Sequence, residues 1–181
     1  MANPFVSVIN LGCRVNRVES DRMERDLAQA GFALVDPDDA ELIVINTCAV
    51  TGEAEAKTRK AVRHALGRDR EPLVVATGCA ASLHPEALRD LSDRVAVVPS
   101  KVEVVSRALK LLGLEESARG DCAPCEPAFR QARVGVKVQD GCNNRCTYCI
   151  VWKARGPERS VPVEAVLEQV RDVEEAGLPE V

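Results

Sequence analysis

Three times before residue 80, a short apolar run rich in Val and Ile leads straight into a cysteine. The segments are Val6-Ser-Val-Ile-Asn-Leu-Gly-Cys13, Leu42-Ile-Val-Ile-Asn-Thr-Cys48 and Leu73-Val-Val-Ala-Thr-Gly-Cys79. Runs of this length and composition read as buried strands, here Phe5–Leu11, Leu42–Ile45 and Leu73–Ala76, with a fourth at Val95–Val98. Helical stretches lie between them. Asn16 or Ser20 is a cap for the first, Met23, Leu27 and Ala30 form its stripe, and Gly31 ends it. Thr51 caps the second, with Glu53 and Glu55 in its first turn and Gly67 near its end. Pro85 opens a short third, and Ser100 with Glu103 reads as a capping box before Val104, Val105, Ala108, Leu111 and Leu112. Strand and helix in alternation specify an α/β fold with an open, mostly parallel sheet, placed at residues 1–113. In such a sheet the carboxyl ends of the strands share one edge, where ligands bind. Cysteines 13, 48 and 79 are therefore expected at one place, with Gly12 and Gly78 letting backbone approach a bulky ligand. The bland alternative is three separate cysteines filling small core positions.

Cysteine use narrows the chemistry. Eight cysteines stand against two histidines, His64 and His84, so a bound metal would be held by sulfur. No apolar run is long enough to cross a bilayer, and the N-terminus lacks a basic-then-apolar leader, so a reducing cytoplasm and no membrane partner are expected. That setting argues against a disulfide framework. The formal net charge of -4 excludes a strongly basic nucleic-acid binder for the chain as a whole but leaves a local patch open, and 3% aromatic residues argue against a base-stacking platform.

Residues 114–133 carry Pro, Gly and charge without periodicity and read as a linker. A new strand is expected at Val134–Val138, then a polar loop over 141–158, a helix from about Pro162 to Ala176, and a further strand opening at Leu178. Within the loop, Gly141-Cys142-Asn-Asn-Arg-Cys146-Thr-Tyr-Cys149 offers three sulfurs from one turn of chain. Three thiolates hold three irons of a 4Fe–4S cube and leave the fourth open. An open iron can chelate the amino and carboxylate groups of S-adenosylmethionine, with Tyr148 packing on its adenine. Arg155 and Arg159 follow the cysteine loop on either side of a Gly-Pro turn and suit a carboxylate or phosphate. The rival reading is zinc, with Cys122 and Cys125 joining two later cysteines in a ribbon. A non-catalytic iron–sulfur carrier is a further alternative, although carriers normally close each cluster with four cysteines. Lys57, Arg59, Lys60 and Arg63 read as a solvated face, and both histidines as surface or capping residues.

These residues resemble the radical S-adenosylmethionine methylthiotransferases, the MiaB/RimO/MtaB family. The matching stretches are Leu11-Gly-Cys-Arg-Val-Asn16, Ile45-Asn-Thr-Cys-Ala-Val-Thr51, Ala76-Thr-Gly-Cys79, and Gln139-Asp-Gly-Cys-Asn-Asn-Arg-Cys-Thr-Tyr-Cys149 with Ala154-Arg-Gly156. The wording looks most like the MtaB branch, which acts on N6-threonylcarbamoyladenosine beside the tRNA anticodon; other branches modify isopentenyladenosine or a ribosomal-protein aspartate. The resemblance implies two 4Fe–4S clusters, one on Cys142, Cys146 and Cys149 that binds S-adenosylmethionine, and an auxiliary one on Cys13, Cys48 and Cys79. It also implies radical chemistry, a tRNA substrate and an electron donor protein. Residues 134–181 would open a TIM-like radical barrel, which when complete takes roughly 250 residues, whereas about 48 follow residue 133. Most of the cofactor pocket and the main tRNA grip are thus expected outside this chain, which is expected to be inactive alone.

Overall fold

The computed structural model describes residues 3–49, 51–114 and 134–181. Most of the expected linker, with Cys122 and Cys125, lies outside the described residues. The chain divides into two compact units, Met1–Glu126 and Pro127–Val181.

The first unit is a five-stranded parallel sheet: β1 (Phe5–Asn10), β2 (Ala33–Leu34), β3 (Leu42–Thr47), β4 (Leu73–Gly78) and β5 (Val95–Val97), in the order β2-β1-β3-β4-β5. The order reverses between β1 and β3, because the chain leaves β1, pairs on one side as β2 and returns on the other as β3. β3 is buried along its whole length, as a central strand covered on both faces must be. Its side chains alternate between two cores. Leu42 and Val44 join Val6, Met23, Leu27, Phe32, Val75 and Val104 on one face. Ile43 and Ile45 join Val62, Ala65, Val74, Ala76, Leu88 and Val95 on the other. The first face is covered by α1 (Arg14–Gln29) and α5 (Val104–Leu111); the second by α2 (Gly52–Leu66), α3 (Cys79–Leu83) and α4 (Pro85–Arg89).

Local signals mostly act as expected. Thr51 Oγ1 accepts from the Ala54 N–H at 3.1 Å, Pro85 opens α4, and Gly31 takes a positive φ just after α1. Two capping expectations are corrected. Neither Asn16 nor Ser20 caps α1: the cap position is Cys13 itself, and both polar side chains are buried inside the first turns. Ser100 makes no side-chain cap; a 3-10 turn, Lys101–Glu103, leads into α5 instead. Cys79, directly after β4, starts α3. β2 is unannounced, since two residues show no period.

The second unit contains β6 (Gln139–Asp140), α6 (Val151–Arg155), β7 (Arg159–Ser160) and α7 (Val163–Glu175), with β6 and β7 paired antiparallel. The strand expected at Val134–Val138 is not part of a ladder. A parallel strand needs a neighbour to fill its donors and acceptors; here the Val134 N–H donates to the Glu180 carbonyl at 3.2 Å and the Val138 carbonyl accepts from the Val161 N–H at 2.9 Å. The helix expected over 162–176 forms as α7, yet of its stripe only Val173 is buried, while Val163 and Leu167 are exposed.

Leu27→Ala removes a side chain buried between α1 and the sheet and is expected to cost about 2–5 kcal/mol in urea unfolding. Val102→Ala, at an exposed position, is expected to change stability by less than about 0.5 kcal/mol.

Candidate functional site

β1, β3 and β4 are neighbours, and their ladder places Asn10 beside Asn46 and Asn46 beside Thr77. Cys48 follows Thr47 and Cys79 follows Gly78, which are themselves paired. Cys13 comes three residues after Asn10, as the cap of α1. The three cysteines thus leave the carboxyl ends of three adjacent strands, at the sheet's switch point, where open α/β sheets bind ligands. Cys48 and Cys79 are buried and Cys13 is exposed.

Polar groups tie these strand ends together. Asn16 Nδ2 donates to Asn46 Oδ1 at 3.2 Å and to the Thr47 carbonyl at 2.8 Å. Asn46 Nδ2 donates to the Asn16 carbonyl at 2.8 Å and to Ser20 Oγ at 3.0 Å. The Cys13 thiol donates to Asn16 Oδ1 at 3.5 Å. On the opposite face Thr47 Oγ1 donates to the Thr77 carbonyl at 2.6 Å and accepts from the Ala81 N–H at 3.1 Å. The Thr77 hydroxyl is buried and has no hydrogen-bond partner among the described residues.

This network revises the role of the two glycines. A Cβ on Gly12 would collide with the Asn16 carboxamide. A Cβ on Gly78, whose φ is +92°, would stand 2.6 Å from both Asn46 Oδ1 and the Thr47 carbonyl oxygen. They permit a close approach between these strand ends and the buried asparagines.

The second trio lies between β6 and α6. Cys142, Cys146 and Cys149 are all half-buried. The Cys142 N–H donates to the Gly156 carbonyl at 3.1 Å, and the Cys149 N–H to the Cys146 carbonyl at 3.1 Å. Gly141 has φ +72°, and a Cβ there would collide with the Pro157 carbonyl. Asn143 Oδ1 accepts the Glu158 N–H at 3.1 Å, so the Gly-Pro turn forms one wall of the cysteine loop. Asp140 is the hub. Its carboxylate accepts from Lys137 at 2.8 Å, from Arg155 at 2.9 Å and from the Gly141 N–H at 3.0 Å, with Arg159 at 3.6 Å. Burial alone would raise its pKa, but hydrogen bonds from Lys137 and Arg155 and their charges outweigh that and hold it well below the usual carboxylate range.

The side chain of Arg155 is thus largely buried against Asp140, which gives it a structural partner inside the chain. Tyr148 is 90% exposed and packs on nothing described here. The Trp152 ring is flanked by Lys153 at 5.1 Å and Arg145 at 5.7 Å. On α2, Lys57 pairs with Glu53 at 2.8 Å, as a solvated face would. His84 lies at the cap of α4, 3.3 Å from Glu55.

Among the described residues, no three His, Cys, Asp or Glu side chains are gathered closely enough for a single metal ion. A cube takes each cysteine on a different iron, so its ligands are spaced more widely than those of one ion. The donor set suits such a group: three sulfurs per set, and at Cys13 the positive end of the sixteen-residue α1, which favours an anionic ligand. From sequence Asn16 reads only as a helix cap, and Asn46 and Asp140 stand only inside longer motif stretches. The signals in the sequence are an Asn directly after four apolar strand residues, and an acid three residues after Lys137 and just before a Gly-Cys.

Residues 6–100 match the model of the uncharacterized protein family UPF0004, and residues 136–181 match the Radical SAM superfamily. The chain is 31% identical, over 97% of its length and 42% of the relative's, to the threonylcarbamoyladenosine tRNA methylthiotransferase MtaB of Thermotoga maritima. It is 35% identical to the MtaB of Aquifex aeolicus, over 97% of this chain and 46% of that one. It is 29% identical to the ribosomal protein uS12 methylthiotransferase RimO of Synechococcus sp. CC9902, over 99% and 41%. The chain belongs to the MiaB/RimO/MtaB family of radical S-adenosylmethionine methylthiotransferases. It spans less than half the length of each of these relatives. In this family member no helix among the described residues is long and apolar enough to cross a membrane.

Asp140 supplies a pH test of the second unit. Its folded pKa is depressed, so its stabilisation is present above the unfolded value of about 3.9 and is lost as pH falls through the folded value. Asp140→Asn is therefore expected to be less stable than wild type at pH 7, with the difference shrinking below about pH 4. Urea unfolding followed by the fluorescence of Trp152, the single tryptophan, checks this.

Proposed function

We propose that the whole protein transfers a methylthio group to C2 of N6-threonylcarbamoyladenosine in tRNA, in the cytoplasm, using S-adenosylmethionine and two 4Fe–4S clusters. In this reading Cys142, Cys146 and Cys149 hold the cluster that binds S-adenosylmethionine, and Cys13, Cys48 and Cys79 hold the auxiliary cluster. Residues 1–113 form the domain carrying the auxiliary set, 114–133 the linker, and 134–181 the start of the radical domain. The observation that carries the proposal is the meeting of three cysteine-bearing strand ends on adjacent strands of one parallel sheet, in a chain with a second cysteine trio on its own loop. Each trio leaves one iron of a cube without a protein ligand, which suits chemistry at the metal better than simple electron transfer. The bound groups would supply reduction of S-adenosylmethionine, the resulting carbon radical and the transferred sulfur.

The chain's own residues have defined tasks. The parallel register brings the first thiols to one edge and keeps Cys48 and Cys79 buried away from water. Asp140 fixes the backbone at Gly141 and the side chain of Arg155, so the second loop is held from both ends. Tyr148, exposed on that loop, is available to cover the adenine of S-adenosylmethionine. Arg155 supports the S-adenosylmethionine site through the same carboxylate. An electron donor protein serves the second cluster, and the tRNA grip lies mainly beyond these residues, which fits the negative net charge of this chain. The RimO relatives favour a second reading, in which the acceptor is an aspartate of a ribosomal protein.

Anaerobic reconstitution with iron and sulfide is expected to load about eight irons per chain, and about four when Cys142, Cys146 and Cys149 are all replaced by Ala. A colourless protein carrying zinc alone would overturn the cluster assignment. Mass spectrometry of tRNA nucleosides from cells lacking the gene decides the substrate: methylthiolated threonylcarbamoyladenosine should be absent. If it persists while the ribosomal-protein modification is lost, the second reading holds.

A further inference from the structure

We propose that Asn16 and Asn46 form a positioning lock that fixes the spacing of the three cysteine-bearing turns before any cluster is bound. The proposal rests on reading Cys13, Cys48 and Cys79 as one ligand set. The two carboxamides are fully buried, and their bonds cross between chain segments instead of closing locally. Asn16 sits in the first turn of α1, three residues after Cys13, and reaches the carbonyl of Thr47, the residue before Cys48. Asn46 returns a bond to the backbone of α1 through the Asn16 carbonyl. Gly78, the residue before Cys79, is packed so closely on Asn46 and Thr47 that no side chain fits. One pair of amides therefore touches the immediate neighbour of every cysteine in the set.

The orientation of Asn16 is dictated by its partners. Asn46 Oδ1 and the Thr47 carbonyl are both acceptors, so the Asn16 amide nitrogen must face them. Its oxygen is left facing the Cys13 sulfur, at 3.5 Å. Asn16 is thus more than a spacer: it presents a fixed dipole to one sulfur of the set. Dipoles and hydrogen bonds around cluster sulfurs tune reduction potential.

Two measurements on the full chain test this. In the reduced, metal-free protein, Asn16→Ala and Asn46→Ala should each raise the alkylation rates of the buried Cys48 and Cys79 by about tenfold, while Cys142, Cys146 and Cys149 keep theirs. Leu27→Ala, at the far end of α1, serves as the control for general destabilisation. Should Asn16→Ala not fold, Gly12→Ala displaces the same carboxamide by collision and should give the same pattern. In a background with the second trio replaced by Ala, the midpoint potential of the remaining cluster should shift in the Asn16 variant and stay put in Leu27→Ala. Equal alkylation in the control and Asn variants, or an unmoved potential, overturns the lock. If the wild-type first trio takes up no iron at all, the ligand-set reading falls instead, and the alkylation rates alone decide whether the asparagines hold these turns.

Discussion

The parallel ladder through β1, β3 and β4 sets Asn10, Asn46 and Thr77 side by side at one end of the sheet. That register governs everything built there. A slip of one residue would turn each strand's alternate side chains to the other face, bringing Ile43 and Ile45 to the face now lined by Leu42 and Val44, and Asn46 away from α1. The apolar alternation of β3 against two covered faces is what forbids the slip. Burial of ordinary core residues thus fixes where the cysteines emerge.

The edge is held by polar contacts that would be costly if incomplete. A buried carboxamide without partners incurs the full desolvation penalty. Asn16 and Asn46 avoid it by satisfying one another together with the Thr47 carbonyl and Ser20. The geometry is so tight that Gly12 and Gly78 are required beside them. The second unit reaches the same end differently. There a single carboxylate, Asp140, gathers Lys137, Arg155 and a backbone N–H around one loop. One cysteine set is organised by strand register and amide bonds, the other by a charged hub.

For a member of this family, the contrast has a physical sense. Cysteines drawn from distant points of the sequence are placed by tertiary packing. Cysteines on one short loop depend on how that loop is held, here by the ion pairs at Asp140 and the Gly141–Pro157 approach.

Much of this was legible in the residues. The repeated run into a cysteine gave the parallel sheet and the shared edge, because an apolar run bounded by turns is a local signal and parallel connection follows from alternation with helices. Thr51, Pro85 and Gly31 acted as local rules require. Other features belonged to the tertiary structure alone. Strand order, the two-residue β2 and the missing ladder at Val134–Val138 depend on which neighbours are available. Asn16 and Ser20 look like helix caps from their residue type. They became a buried network only because Cys13 starts the helix earlier and β3 lies beneath it. Sequence determined which residues could carry the chemistry, since side-chain type is local. Packing decided which of them meet, since a buried amide is satisfied only by partners that the chain brings from far away.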